Sequence, residues 1–122
     1  MTAANVHRGE IVVRLDADYV LRPDFEAMAA IEAQIGPLMA IGRRLVTDGF
    51  IGLREAAVII CEGIRAHGRY ANTLDKAVNL KRVEELIFAA GLIELMPALS
   101  QFVVMSLTGG ATPAGNGTAA TE

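Results

Sequence analysis

The sequence has no tryptophan, one cysteine, two histidines and few aromatics of any kind, 5% of 122 residues. A single Cys61 excludes an internal disulfide, and no Cys or His pair stands at the spacing of a zinc site. A lone thiol in an apolar helical run reads as a small buried hydrophobe rather than a nucleophile. His7 lies near the N-terminus. His67 falls at the end of an expected helix, where an imidazole suits the helix dipole. Cationic charge is also short: the formal net charge is −3 and the pI about 5.4. The chain therefore has no general attraction for phosphate backbones or anionic lipid, and neither nucleic acid nor membrane is expected as a partner.

Long apolar runs are missing too. Residues 86–107 come nearest to a membrane span, but Glu94 and Pro97 interrupt them and Gly91 divides them, which predicts two helices of a soluble domain. Met1-Thr2-Ala3-Ala4-Asn5-Val6-His7-Arg8 has no apolar signal region, so a cytoplasmic location is expected. The glycosylation sequon Asn116-Gly117-Thr118 then has no bearing. Asp16 and Asp18 lack the loop length and later acidic ligand of a calcium site. No Gly-rich stretch links a strand to a helix in the manner of a phosphate loop. Arg43, Arg44 and Arg54 raise a helix-turn-helix reading, but Leu53-Arg54-Glu55-Ala56-Ala57 offers base edges one donor and a carboxylate, so a solvated basic edge fits better. No catalytic, metal or cofactor site is expected, and the protein reads as a non-enzyme.

What is present is aliphatic. The chain is 52% hydrophobic, and its length suits one domain with a closely packed core. Ile11, Val13 and Leu15 alternate with Glu10, Val12 and Arg14, the pattern of a half-buried strand, and Tyr19 and Leu21 supply the matching face of a second. Asp16-Ala17-Asp18 lacks a turn glycine, but Asp tolerates left-handed backbone. A lone hairpin is marginal in water, so its apolar face must rest on helices.

Pro23 ends the strand and Asp24 caps a first helix that carries Phe25, Met28, Ile31 and Ile35 on one face and closes at Gly36. A second helix begins near Pro37, with Leu38, Ile41 and Leu45 inward and Arg43, Arg44 and Asp48 outward. Gly49 and Gly52 bracket a loop around Phe50. A third helix is expected over 53–67, with Leu53, Ala57, Ile60 and Ile64 inward, Glu55, Glu62 and Arg65 outward, and Gly68 as its stop. Asn72 and Asp75 suggest a variant capping box. One long helix, or two pieces meeting near Asn79, then reaches Ala90 with Leu80, Val83, Ile87 and Ala90 as its apolar line. Gly91 closes it.

The last helix, to about Leu107, is apolar nearly all round. Leu92, Leu95, Met96, Leu99, Phe102 and Val103 fill one face. Ile93, Pro97 and Val104 line a second, about 120° away, and Met105 lies on a third. Such a helix is either central in the core or covered by a partner, and these four residues are the candidate partner-binding positions. The fold class is thus α+β, mainly α. It comprises an N-terminal two-stranded β-hairpin packed on a bundle of about five helices (domain 1–108) and a disordered tail (109–122) of small residues, Gly and Pro.

One resemblance covers nearly the whole folded body. Arg8-Gly9-Glu10, the alternating strand, the return Tyr19-Val20-Leu21-Arg22, the junction Pro23-Asp24-Phe25-Glu26-Ala27, Ala30-Ile31-Glu32 with Gly36, Ala89-Ala90-Gly91-Leu92 and Gly109-Gly110 resemble the tail-assembly chaperone family of phage-like gene transfer agents. Ala17 stands where that family usually carries a turn glycine. The resemblance implies a small cytoplasmic bacterial protein that binds and protects the tape measure protein before tail tube polymerisation. It implies contacts with the tail tube protein or with further copies of itself, and no catalytic residue. The alternatives are a structural tail tube component, as some descriptions of the family have it, and a helical adaptor or regulator.

Overall fold

The computed structural model describes residues 9–110. His7, the sequon and the tail segment 111–122 lie outside the described residues. Two strands, β1 (Ile11–Arg14) and β2 (Asp18–Leu21), form an antiparallel hairpin, followed by α1 (Phe25–Ile35), α2 (Leu38–Thr47), α3 (Leu53–Ala71), a 3-10 turn (Leu74–Ala77), α4 (Leu80–Ala90) and α5 (Leu92–Leu107). The hairpin on five helices matches the expected class.

The hairpin pairs Ile11 with Leu21 and Arg14 with Asp18. Its turn uses no left-handed residue; Asn72 is the only non-glycine with positive φ among the described residues. Instead the Leu15 amide donates to the Ala17 carbonyl at 2.9 Å, and the Tyr19 hydroxyl donates to Asp16 at 2.8 Å. An alanine therefore suffices at position 17.

Local chemistry sets most helix ends as expected. Asp24 accepts from the Ala27 amide at 2.8 Å, and Asn79 accepts from the Arg82 amide at 3.1 Å, both as N-caps. Gly36 and Gly91 end α1 and α4 with positive φ, which glycine adopts without steric cost. No single helix among the described residues is long and apolar enough to cross a membrane; α4 and α5 reach that length only as a pair bent by 118°.

The centre of the molecule is α3, not α5. Its stretch from Ala56 to Ile64 is buried on every side, and it packs against α1, α4, α5, β2 and the 3-10 turn. The helix continues through Gly68 to Ala71, where Asn72 (φ 57) ends it. Gly68 is thus not its stop, and His67 is an interior, buried residue rather than a terminal one. The Asn72–Asp75 capping box does not form: Thr73 caps the 3-10 turn, its hydroxyl accepting from the Asp75 amide at 3.3 Å.

Other facings also differ from expectation. Phe25 is exposed because α1 approaches α3 through Ala27 and Ile31, and Phe25 lies on the opposite side of that axis. Leu53, at the open first turn of α3, is exposed as well. Glu62 is buried, held by Gln34 of α1 at 2.9 Å and by Arg65 at 3.0 Å, while Arg65 also reaches the Val78 carbonyl at 2.9 Å. Glu10, placed by alternation on the solvent face, is buried against Arg22 at 2.6 Å. These polar groups cross the core because each meets a charged or main-chain partner there.

Candidate functional surface

Of the four candidate positions on α5, three stand clear of the core. Ile93 is 83% exposed, and Pro97 and Val104 are exposed beside it. At 100° per residue these three fall within about 40° of one another, so they form one stripe along the helix. Leu107 extends the stripe and is also exposed. Pro97 lacks an amide, so it leaves the Ile93 carbonyl without its usual helical donor on the same side. Met105 is different: half-buried, it packs against the core. Its carbonyl accepts from the Thr108 amide at 3.1 Å and the Gly110 amide at 3.4 Å, closing the end of α5.

The opposite face of α5 explains why that helix is peripheral. Leu95, Met96, Leu99, Phe102 and Val103 are buried. Val103 also lies against Gly42 of α2, where an added Cβ would meet Val103 Cγ1 at 3.4 Å, and Leu107, at the border between this face and the stripe, turns its Cδ1 to the same point at 3.2 Å. One side of α5 docks on the domain, and the Ile93 side has nothing over it among the described residues.

Sequence reasoning missed a second set of apolar groups. Three of the four phenylalanines are exposed: Phe25, Phe50 and Phe88, the first of them at 85%. Phe88 and Leu53 share a shallow groove with Lys81, Glu84 and Glu85. Phe25 shares another with Pro23, Met28 and Leu38 next to the end of α5. Periodicity puts Phe25 on the inward face of α1, leaves Phe88 off the apolar line of α4 and does not apply to Phe50 in its loop, so it does not single the three out.

Charged side chains mostly tie the helices to one another. Arg44 grips Glu55 with two bonds of 2.6 and 2.7 Å, linking α2 to α3. This pairing, before all other causes, holds the Glu55 carboxyl below the usual carboxylate range despite partial burial. Arg54 pairs with Glu84 of α4 at 2.7 Å. Two arginines of the expected basic edge are thus engaged by carboxylates, and Arg43 remains exposed.

Cys61 is buried, and its thiol reaches the Val78 carbonyl at 3.8 Å. Burial pushes its pKa up to about 11. The thiolate is the reactive form, so the native protein is expected to resist iodoacetamide at pH 8, whereas the urea-unfolded chain is alkylated. Mass spectrometry of the two samples checks this, and rapid native labelling would contradict the burial. Among the described residues no three His, Cys, Asp or Glu side chains gather as a metal site.

Fold and surface together define a small helix-rich protein with a two-stranded hairpin and several exposed apolar side chains. The family model described as "Phage tail tube protein, GTA-gp10" matches residues 8–109, the whole described body. The chain belongs to this family of phage-like tail proteins. The match agrees with the resemblance at the level of phage-like tail proteins, and its description sides with the tail tube component rather than the chaperone. No curated protein and no solved structure matches the chain.

Proposed function

We propose that this protein acts without catalysis in forming the tail tube of a phage-like particle, in the bacterial cytoplasm, as a tube component that makes its contacts through helix faces. The observation that carries this reading is the uncovered Ile93–Pro97–Val104 stripe of α5 on a member of a family described as a phage tail tube protein. Such a stripe suits another copy or a second tail protein, because an apolar helix face gains most from a complementary helix or groove.

A second reading, a chaperone that covers the tape measure protein until the tube forms, is favoured by one observation. The described residues contain only a two-stranded sheet, which supplies little of the continuous β-structure expected of a tube wall. An amphipathic helical partner would be read at the spacing that Ile93, Pro97 and Val104 present.

Size-exclusion chromatography and electron microscopy of the purified protein separate the two. Rings or tubes identify the tube component. A small species that co-purifies with co-expressed tape measure protein identifies the chaperone. Ile93→Asp and Val104→Asp are expected to keep the domain folded, with stability changed by about 0.5 kcal/mol, and to abolish whichever assembly the native protein shows. Unfolding of either variant would mean that the face is core, and unchanged assembly by both would remove the stripe from the function.

A further inference from the structure

A cleft of about 450 Å³ lies between the hairpin and the end of α3, lined by Arg14, Ala17, Asp18, Tyr19, Val20, His67, Thr73 and Asp75. Its walls carry two kinds of unmet polar group. The first is main chain. The Arg22 amide points away from β1, since it donates to the Gly63 carbonyl of α3 at 3.1 Å. Strand alternation then turns the amides and carbonyls of Val20 and Asp18 to this same outer edge of β2. There they meet no main-chain partner among the described residues. One helical turn beyond Gly63, His67 of α3 lines the cleft together with Val20 of β2.

The second is the imidazole of His67. Only 7% of this residue is exposed, and it lines the cleft without a hydrogen-bond partner among the described residues. The Tyr70 ring lies beside it, with centroids 6.4 Å apart. A buried polar side chain without a partner costs free energy unless something fills the space beside it, and the strand edge at the same place is open to pair.

The charges around the opening indicate what that is. Asp18 is neutralised by Arg14 at 3.1 Å, and Asp16 is approached by Arg82 at 3.8 Å. Asp75 makes no ion pair among the described residues, so around the opening the carboxylates of Asp16, Asp18 and Asp75 outnumber the guanidinium groups of Arg14 and Arg82 that pair there. Tyr19 reports this field: burial first, then Asp16, and also Asp75 raise its phenol above its ordinary pKa.

We propose that this cleft binds an extended polypeptide segment carrying a basic side chain. The segment adds a strand to the edge of β2 through Val20 and Asp18, as open strand edges do elsewhere. His67 takes one of its main-chain groups, and Asp75 takes the basic side chain. The inference stands apart from the choice between tube component and chaperone, since it concerns the hairpin end and not α5.

The test uses the isotopically labelled full chain and two synthetic peptides, acetyl-Thr-Val-Lys-Val-Thr-amide and its counterpart with Glu for Lys. At millimolar peptide, NMR shifts are expected at the Val20 amide and the His67 ring. Binding should be about two- to fivefold tighter for the Lys peptide, the size of one partly exposed ion pair. Asp75→Asn should erase that preference, and a Lys peptide N-methylated along its backbone should lose the Val20 shift. No perturbation at Val20 and His67, or equal binding of the two peptides, overturns the proposal. His67→Ala should weaken both peptides. If it unfolds the domain instead, the peptide comparison on the native chain still decides.

Discussion

Replacing Gly68 with alanine is expected to destabilise the domain by about 3 kcal/mol or more, the upper end of what overpacking costs. The melting temperature should fall on the order of 15 °C for a body of this size. A Cβ at this position would lie 2.6 Å from the carbonyl carbon of Asp75 and 2.8 Å from Lys76 Cα, and closer still to the Lys76 nitrogen. These are backbone atoms of the 3-10 turn and cannot rotate aside. The Gly68 carbonyl also accepts from the Thr73 amide at 2.9 Å, so the turn cannot retreat without losing that bond. In an ordinary helix interior the same change would stabilise by about 1 kcal/mol, so the two accounts differ in sign. Circular dichroism during heating decides: a raised melting temperature would mean that α3 and the turn do not approach in this way. Gly63→Ala makes a milder comparison. Its Cβ would meet Leu21 Cβ at 2.9 Å and Leu21 Cα at 3.3 Å, so β2 itself would have to shift, but by less than the turn would at Gly68.

Gly68 also shows where reading the chain alone reached its limit. Elements whose limits depend on neighbours in sequence were legible: Pro23-Asp24 starts α1, Gly36 ends it, Asn79 starts α4, and Gly91 separates α4 from α5. Gly68 looks the same in one dimension, a glycine before a polar connection, yet it is there for a contact with residues 75 and 76. The choice of central helix fails for a related reason. α5 is the more apolar, but the residues that let α3 occupy the middle are small ones, Ala56, Ala57, Gly63, Ala66 and Gly68, which permit close approach without adding hydropathy. Buried Glu62 lowers the hydropathy of α3 further and is tolerated only because Gln34, from another helix, completes its hydrogen bonding.

The candidate surface was legible in part for the same cause. Ile93, Pro97 and Val104 stood out because one helix carried more apolar faces than a single docking side uses. Met105, already on a third face by periodicity, joined them only because it is apolar, and the loop around Gly9 reaches it: a Cβ on Gly9 would lie 4.0 Å from Met105 Cβ. Phe25, Phe50 and Phe88 were invisible because exposure of one aromatic in an amphipathic pattern depends on which neighbour covers it. The cleft at His67 needed both the length of α3 and the direction of the Arg22 amide.

Changing Glu10 to glutamine is expected to destabilise the protein by about 1.5–3 kcal/mol, because it replaces the charge-assisted hydrogen bond of a buried ion pair with a neutral one. Glu10 and Arg22 are 3% and 2% exposed, and their closest atoms are 2.6 Å apart. Continuing the observed register places them opposite each other, one step beyond Ile11 and Leu21. The pair therefore fastens the end of the hairpin where the chain enters α1. The Tyr70 ring lies over Arg22, with Cζ 3.9 Å from its centroid, and ties this end to the last turn of α3. A buried pair is costly to assemble, so its presence does not by itself make the fold more stable than an apolar pair would. The double change Glu10→Leu with Arg22→Met should accordingly recover much of what either single change loses. Urea unfolding of the native protein, Glu10→Leu, Arg22→Met and the double variant gives the coupling energy directly. A Glu10→Gln variant within about 0.5 kcal/mol of the native protein, the range of ordinary surface substitutions, would show that water reaches the pair. In that case the hairpin is held by its apolar face on α3 and α5 alone.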